Sequence, residues 1–259
     1  MSAIVMSIVA GIFGTGLGGI VTALLGSRTD KMISIFLSFA GGVMTSIVFF
    51  ELIPEALAHS NSAVFIIGLL LGVVVVLMLN FIIDWTSGNH QQITEPHESY
   101  EEFYHEEKII TGANAMIKSG ILMFFVIGLH NIPEGLVIGA AVNHNSNLSV
   151  TLAMIIGIHN VPEGMAIAAP LISGGLEKWK TAVLTFLAGG PTVLGAVAGV
   201  LLGGISDITL ALSFSLASGS MLYAVFGEIL PQSISMSKSR IPTMVLLFGI
   251  IIGFLMTKM

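Results

Sequence analysis

Eight apolar runs, each close to the length of a bilayer's hydrocarbon core, fill almost the whole chain. They cover about 3–26, 32–53, 63–85, 117–141, 148–170, 180–204, 208–231 and 242–257. A helix needs about 20 predominantly apolar residues to cross that core. Hydrophobic residues make up 54% of the chain and charged residues 9%, against roughly 25% charged in ordinary soluble domains. The expected fold is an all-α integral membrane protein of eight transmembrane helices, forming one transporter-sized domain over residues 1–259. The first run lacks a basic segment before it, and Arg28 follows it, so it does not read as a secretory signal.

The nine Lys and Arg alternate from loop to loop. Arg28 and Lys31 follow run one, and Lys108 and Lys118 lie between three and four. Lys178 and Lys180 lie between five and six, and Lys238 and Arg240 between seven and eight. Basic residues stay on the cytoplasmic side. Both termini are therefore expected on the extracytoplasmic side, with only the terminal Lys258 against the pattern.

Two internal repeats cross this layout. Residues 127–141 (IGLHNIPEGLVIGAA) match 156–170 (IGIHNVPEGMAIAAP) at nine of fifteen positions. A second repeat, offset by 177 residues, lays 36–57 on 213–234 and pairs Glu51 and Pro54 with Glu228 and Pro231. It also lays Thr15 on Thr192. An offset of five runs is odd, so runs 1–3 and 6–8 form an inverted repeat around a central 4–5 pair. Transporters recurrently use this design, with the substrate at the midplane on broken helices.

The central pair carries the chemistry. His130-Asn131-Ile132-Pro133-Glu134-Gly135 and His159-Asn160-Val161-Pro162-Glu163-Gly164 each set an imidazole and a carboxylate four residues apart. Residues so spaced share a helix face. Ionisable groups inside a membrane are costly and usually functional. His130, Glu134, His159 and Glu163 are expected to converge on one cation, with Asn131 and Asn160 adding amide oxygens. Imidazole with carboxylate suits zinc, iron, manganese, cobalt or cadmium better than calcium or magnesium. The chain has no Cys, which excludes thiolate sites. Pro133 and Pro162 each remove a helix hydrogen bond, which is expected to kink these helices. A single His–Glu pair could instead be interhelical glue, but two copies on adjacent antiparallel helices favour a metal site.

Glu51 and Glu228 both read as lying towards the outer ends of their runs, Glu51 as an entry ligand, a proton carrier or an interfacial side chain. Met44, two turns before Glu51, is either a thioether ligand or packing. His59 and His144 read as solvated loop residues. Residues 86–116, with His90, His97 and His105 among six Glu, form a cytoplasmic His/Glu-containing loop too polar to pack. It is either a solvated linker or a weak metal buffer.

These paired motifs, the eight runs and the His-containing loop resemble the ZIP (Zrt/Irt-like) divalent metal transporters, in particular the bacterial ZupT/GufA branch. The resemblance implies transport of zinc, and often iron, manganese, cobalt or cadmium, into the cytoplasm. The metal is then a transported substrate, with no cofactor. It also implies metal contact by the six motif residues, a homodimer in a prokaryotic plasma membrane, and rocking of spans 1, 4, 5 and 6 against 2, 3, 7 and 8. Nucleic acid is not an expected partner. Many relatives carry a Glu in span 6 where this chain has Thr192, so one dominant site is expected here. An intramembrane metallohydrolase is the alternative. Against it, the H-E-x-x-H pattern is absent and the symmetric motifs offer no distinct general base. A metal sensor ranks below both.

Overall fold

The computed structural model describes residues 2–25, 29–86, 112–144, 146–202, 206–237 and 239–258. Among them every regular element is helical. Seven helices are long and apolar enough to cross a membrane, and Ile241–Met256 is a shorter eighth. We number them spans 1 to 8: Ala3–Leu25, Asp30–His59, Ser62–Thr86, Ala113–His144, Ser146–Ser173, Lys178–Leu202, Asp207–Met236 and Ile241–Met256. Most of the loop expected at 86–116, with its three His, lies outside the described residues.

Spans 2 and 7 run past the ends expected from hydropathy. In each, a π-helical turn precedes a proline: Val48–Leu52 before Pro54, and Ala224–Ile229 before Pro231. The Ile53 amide donates to the Val48 carbonyl and the Leu230 amide to the Val225 carbonyl, both five residues back. The wider turn makes room for the proline ring, which would otherwise crowd the carbonyl four residues before it. Proline then occupies the first turn of a fresh α-helix, where its missing amide costs nothing. The two π turns keep the 177-residue offset.

The packing follows the same symmetry. Span 1 lies along span 5 and span 6 along span 4, while span 2 lies along span 8 and span 7 along span 3. Each contact closes on glycine. A Cβ on Gly164 would collide with the Thr15 carbonyl of span 1, and one on Gly135 with the Thr192 carbonyl of span 6. Gly42 against Gly249 and Gly219 against Leu69 repeat the device in the outer pairs. Small residues let membrane helices approach to backbone distance, where packing and not water exclusion holds them. Spans 4 and 5 also pack on each other, which places the two motifs at the centre of the bundle.

The inverted symmetry corrects one expectation. Glu51 and Glu228 lie towards opposite ends of the bundle, so they do not share an outer face. Glu51 is eight residues before His59, whose Nδ1 lies 3.0 Å from Asp207 Oδ1 at the start of span 7. Glu228 is near the other end of span 7, where Asn80 Nδ2 donates to its Oε1 at 3.0 Å. Lys118 and Asp84, 2.7 Å apart, close spans 3 and 4 at that same end. A repeat that turns over in the membrane exchanges the two faces. His59 is likewise not merely solvated, although its exposed pair with Asp207 contributes only about 0–1 kcal/mol.

Valine at Gly164 or Gly135 is expected to destabilise the protein by about 1–3 kcal/mol through overpacking. Gly190→Ala, with nothing within 4 Å of the added carbon, should be near neutral. Thermal unfolding in detergent checks this, and equal losses in all three would refute the close crossings.

Candidate metal site

Both motifs lie within unbroken α-helix. Span 4 continues through Pro133 and span 5 through Pro162. The helical pattern runs through both prolines, and the irregular backbone lies in the neighbouring spans. Span 1 carries a π turn at Ile8–Phe13, and span 6 is interrupted at Gly189 between Lys178–Ala188 and Gly190–Leu202. A proline deletes one hydrogen bond, which a helix anchored by packing on both sides tolerates.

The i, i+4 spacing turns His130 and Glu134 to one face of span 4, and the antiparallel span 5 sets His159 and Glu163 opposite. His130 Nε2 lies 3.0 Å from Glu134 Oε1 and 3.3 Å from Glu163 Oε1. His159 Nε2 lies 2.6 Å from Glu134 Oε1. Donor atoms of His130, Glu134 and Glu163 all fall within 4.8 Å of one another. Tetrahedral ligands about 2.0–2.1 Å from a zinc ion stand roughly 3.3 Å apart, so the two His130 distances are already near coordination spacing.

All four side chains are buried, with at most 3% of any residue exposed. Both oxygens of Glu163, Glu134 Oε2 and both ring nitrogens of His130 have no hydrogen-bond partner. The 3.0 and 3.3 Å approaches of His130 to Glu134 and Glu163 are close but not hydrogen bonds. Buried carboxylate without donors is costly, and a cation removes that cost directly. With both imidazoles neutral the cluster carries two negative charges, which one divalent ion balances.

Asn131 and Asn160 are buried beside the motif, with Oδ1 unpartnered. Their amide nitrogens donate elsewhere, to Ala188 O at 3.0 Å and Ala10 O at 3.1 Å. Glu51 lies outside the close three-residue group. It sits in the span 2 π turn with Oε2 unpartnered. Met44 is fully buried in the core with Ile47 and Val48. The side chain of His144 lies outside the described residues. Thr192 is buried with its hydroxyl unpartnered, and its repeat mate Thr15 is in the same state.

Sequence reasoning missed the Asn80–Glu228 contact and the Asp84–Lys118 pair. A lone Asn in the very apolar span 3 was the available signal. Outside the membrane-crossing segments, hydrogen bonds from Lys180 and Trp179 hold the Glu177 carboxyl below its usual range, at the foot of span 6.

A family model described as ZIP Zinc transporter matches residues 1–258. The chain belongs to the ZIP family. Among curated relatives it is similar to a protein named Zinc transporter ZupT from Akkermansia muciniphila, 28% identical over 137 residues, which is 49% of this chain and 48% of the relative. A protein of the same name from Chlorobaculum parvum is 28% identical over 154 residues, 56% of this chain and 54% of that one. The chain thus spans about half the length of the curated relatives it matches.

Replacing His130 by Ala is expected to weaken metal binding by at least tenfold, about 1.4 kcal/mol, with helix content unchanged. Calorimetric titration with Zn²⁺ alongside circular dichroism tests this. Unchanged affinity in His130→Ala and Glu163→Ala together would remove the cluster as a ligand set.

Proposed function

We propose that this protein carries divalent transition-metal ions, zinc foremost, across the membrane through the buried cluster of spans 4 and 5. The observation that carries the reading is the convergence of His130, Glu134 and Glu163 at coordination distance in the centre of an inverted-repeat helical bundle. His159, 2.6 Å from Glu134, completes the set. Family membership and the names of the two relatives point to the same cargo.

Mixed imidazole and carboxylate donors suit zinc, iron, manganese, cobalt and cadmium. A carrier must also release its ion, and adaptable donors on separate helices let the cluster come apart in a way that a closed structural site does not. Glu51 is the entry carboxylate on the outer side, with Asn131 and Asn160 presenting amide oxygens nearby. Both termini face away from the cytoplasm in this scheme, and the ion leaves towards the loop between spans 3 and 4. The setting is a prokaryotic plasma membrane, with a second copy of the chain as partner. With Thr192 in place of a carboxylate, one ion binds per chain.

Purified protein in proteoliposomes should show saturable Zn²⁺ flux, lost in Glu163→Ala, with competition ranking Fe²⁺, Mn²⁺, Co²⁺ and Cd²⁺. Tight binding with no flux under any gradient would overturn transport. Mass spectrometric metal analysis should find one tightly held Zn²⁺ per chain. Two would overturn the single-site reading.

A further inference from the structure

Asn131 and Asn160 do the same thing to two different helices. In an α-helix the amide of residue 14 would bond the carbonyl of Ala10. In span 1 the Gly14 amide instead reaches Val9 O and Gly11 O, and Ala10 O is bypassed. Asn160 of span 5 donates to that carbonyl at 3.1 Å. In span 6 the amide of Thr192 would bond Ala188 O, but it turns to Gly189 O at 3.3 Å. Asn131 of span 4 donates to the freed Ala188 O at 3.0 Å.

The sequence carries the same equivalence. Ala10-Gly11 matches Ala188-Gly189 at an offset of 178, whereas Thr15 matches Thr192 at 177. Span 1 therefore holds one extra residue between the two points, which is what a π bulge is. Different backbone irregularities free the equivalent carbonyl in each half, and the same motif position answers it. A freed carbonyl at membrane depth needs a donor from within the protein. A carbonyl only accepts, so each amide must turn its nitrogen outward to the neighbouring span, leaving Oδ1 as the unpartnered atom.

We infer that Asn131 and Asn160 are positioning residues, clamping span 4 to the break in span 6 and span 5 to the bulge in span 1, so that each motif helix is held to its partner as one body. The clamp sits one residue from His130 or His159 and fixes the rotation of the helix that presents it. This inference rests on spans 4 and 5 carrying the metal, but the clamp itself is a property of the metal-free protein. A residue that served only as a ligand through Oδ1 would not need its nitrogen engaged.

Aspartate separates the two roles, since it keeps an oxygen ligand and loses the donor, while Leu loses both. The chain has no Cys, so spin labels at Leu24→Cys on span 1 and Met154→Cys on span 5, both exposed, report that pairing in lipid nanodiscs with chelator present. The parent should give a narrow distance distribution. Asn160→Asp and Asn160→Leu should both broaden it, and Asn131→Leu should leave it narrow. Zn²⁺ affinity should fall in Asn160→Asp and Asn160→Leu alike, by about tenfold to a hundredfold, as for lost outer supports of metal ligands. A parent-like distribution in both Asn160 variants overturns the clamp, whatever the affinity does. If even the parent binds no Zn²⁺, the metal reading fails, and the metal-free distances still decide the clamp. If the Asn160 variants cannot be purified, Asn131→Asp and Asn131→Leu with labels at Phe125→Cys and Leu201→Cys decide by the same criterion.

Discussion

Two buried carboxylates at the centre of a membrane protein, one with neither oxygen hydrogen-bonded and the other bonded through one oxygen only, set the terms for everything around them. Glu134 and Glu163 sit where an unbalanced charge is hard to sustain. Two imidazoles from the same pair of helices lie at 2.6 to 3.3 Å from them. A cluster so short of donors and so rich in electron pairs is matched to a cation. The charge requirement also fixes the architecture. The four groups meet only if spans 4 and 5 are antiparallel neighbours in register, and the register is held by Gly135 and Gly164 against the backbones of spans 6 and 1.

Irregular backbone is displaced one layer out from the chemistry. Prolines in the two motifs leave spans 4 and 5 helical, so the four ionisable groups stand on continuous helices. The π turns and the Gly189 break lie in spans 1, 2, 6 and 7, which surround those helices.

Much of this was legible in the residues. The span count, the inverted repeat and the meeting of His130, Glu134 and Glu163 all follow from hydropathy, an odd offset and helical spacing. Helix bounds at Glu51 and Glu228 did not, because hydropathy falls at Glu-x-x-Pro even where a π turn carries the helix onward. Continuity of the helices through Pro133 and Pro162 did not either, because a proline states only which hydrogen bond is lost, not whether packing holds the helix together. The donors used by Asn131 and Asn160 were hidden for a further reason. Their partners are main-chain carbonyls at Ala10 and Ala188, freed by geometry that no side chain announces. The face of Glu228 was not legible from its place near a span end, because members of an inverted repeat lie at opposite ends of the bundle.

Inversion also shows where the halves differ. Ser34 and Ser38 of span 2 bond Ser233 near the end of span 7. The residues equivalent to Ser34 and Ser233 under the 177-residue offset are Ala211 and Ala56. An inverted repeat lets the two halves exchange arrangements, and were the side chains identical those arrangements would be equal in energy. Polar ties at one end of the span 2–7 contact and small apolar side chains at the other remove that equality. The carboxylates differ in the same sense: Asn80 engages Glu228, whereas Glu51 keeps one oxygen without a hydrogen-bond partner.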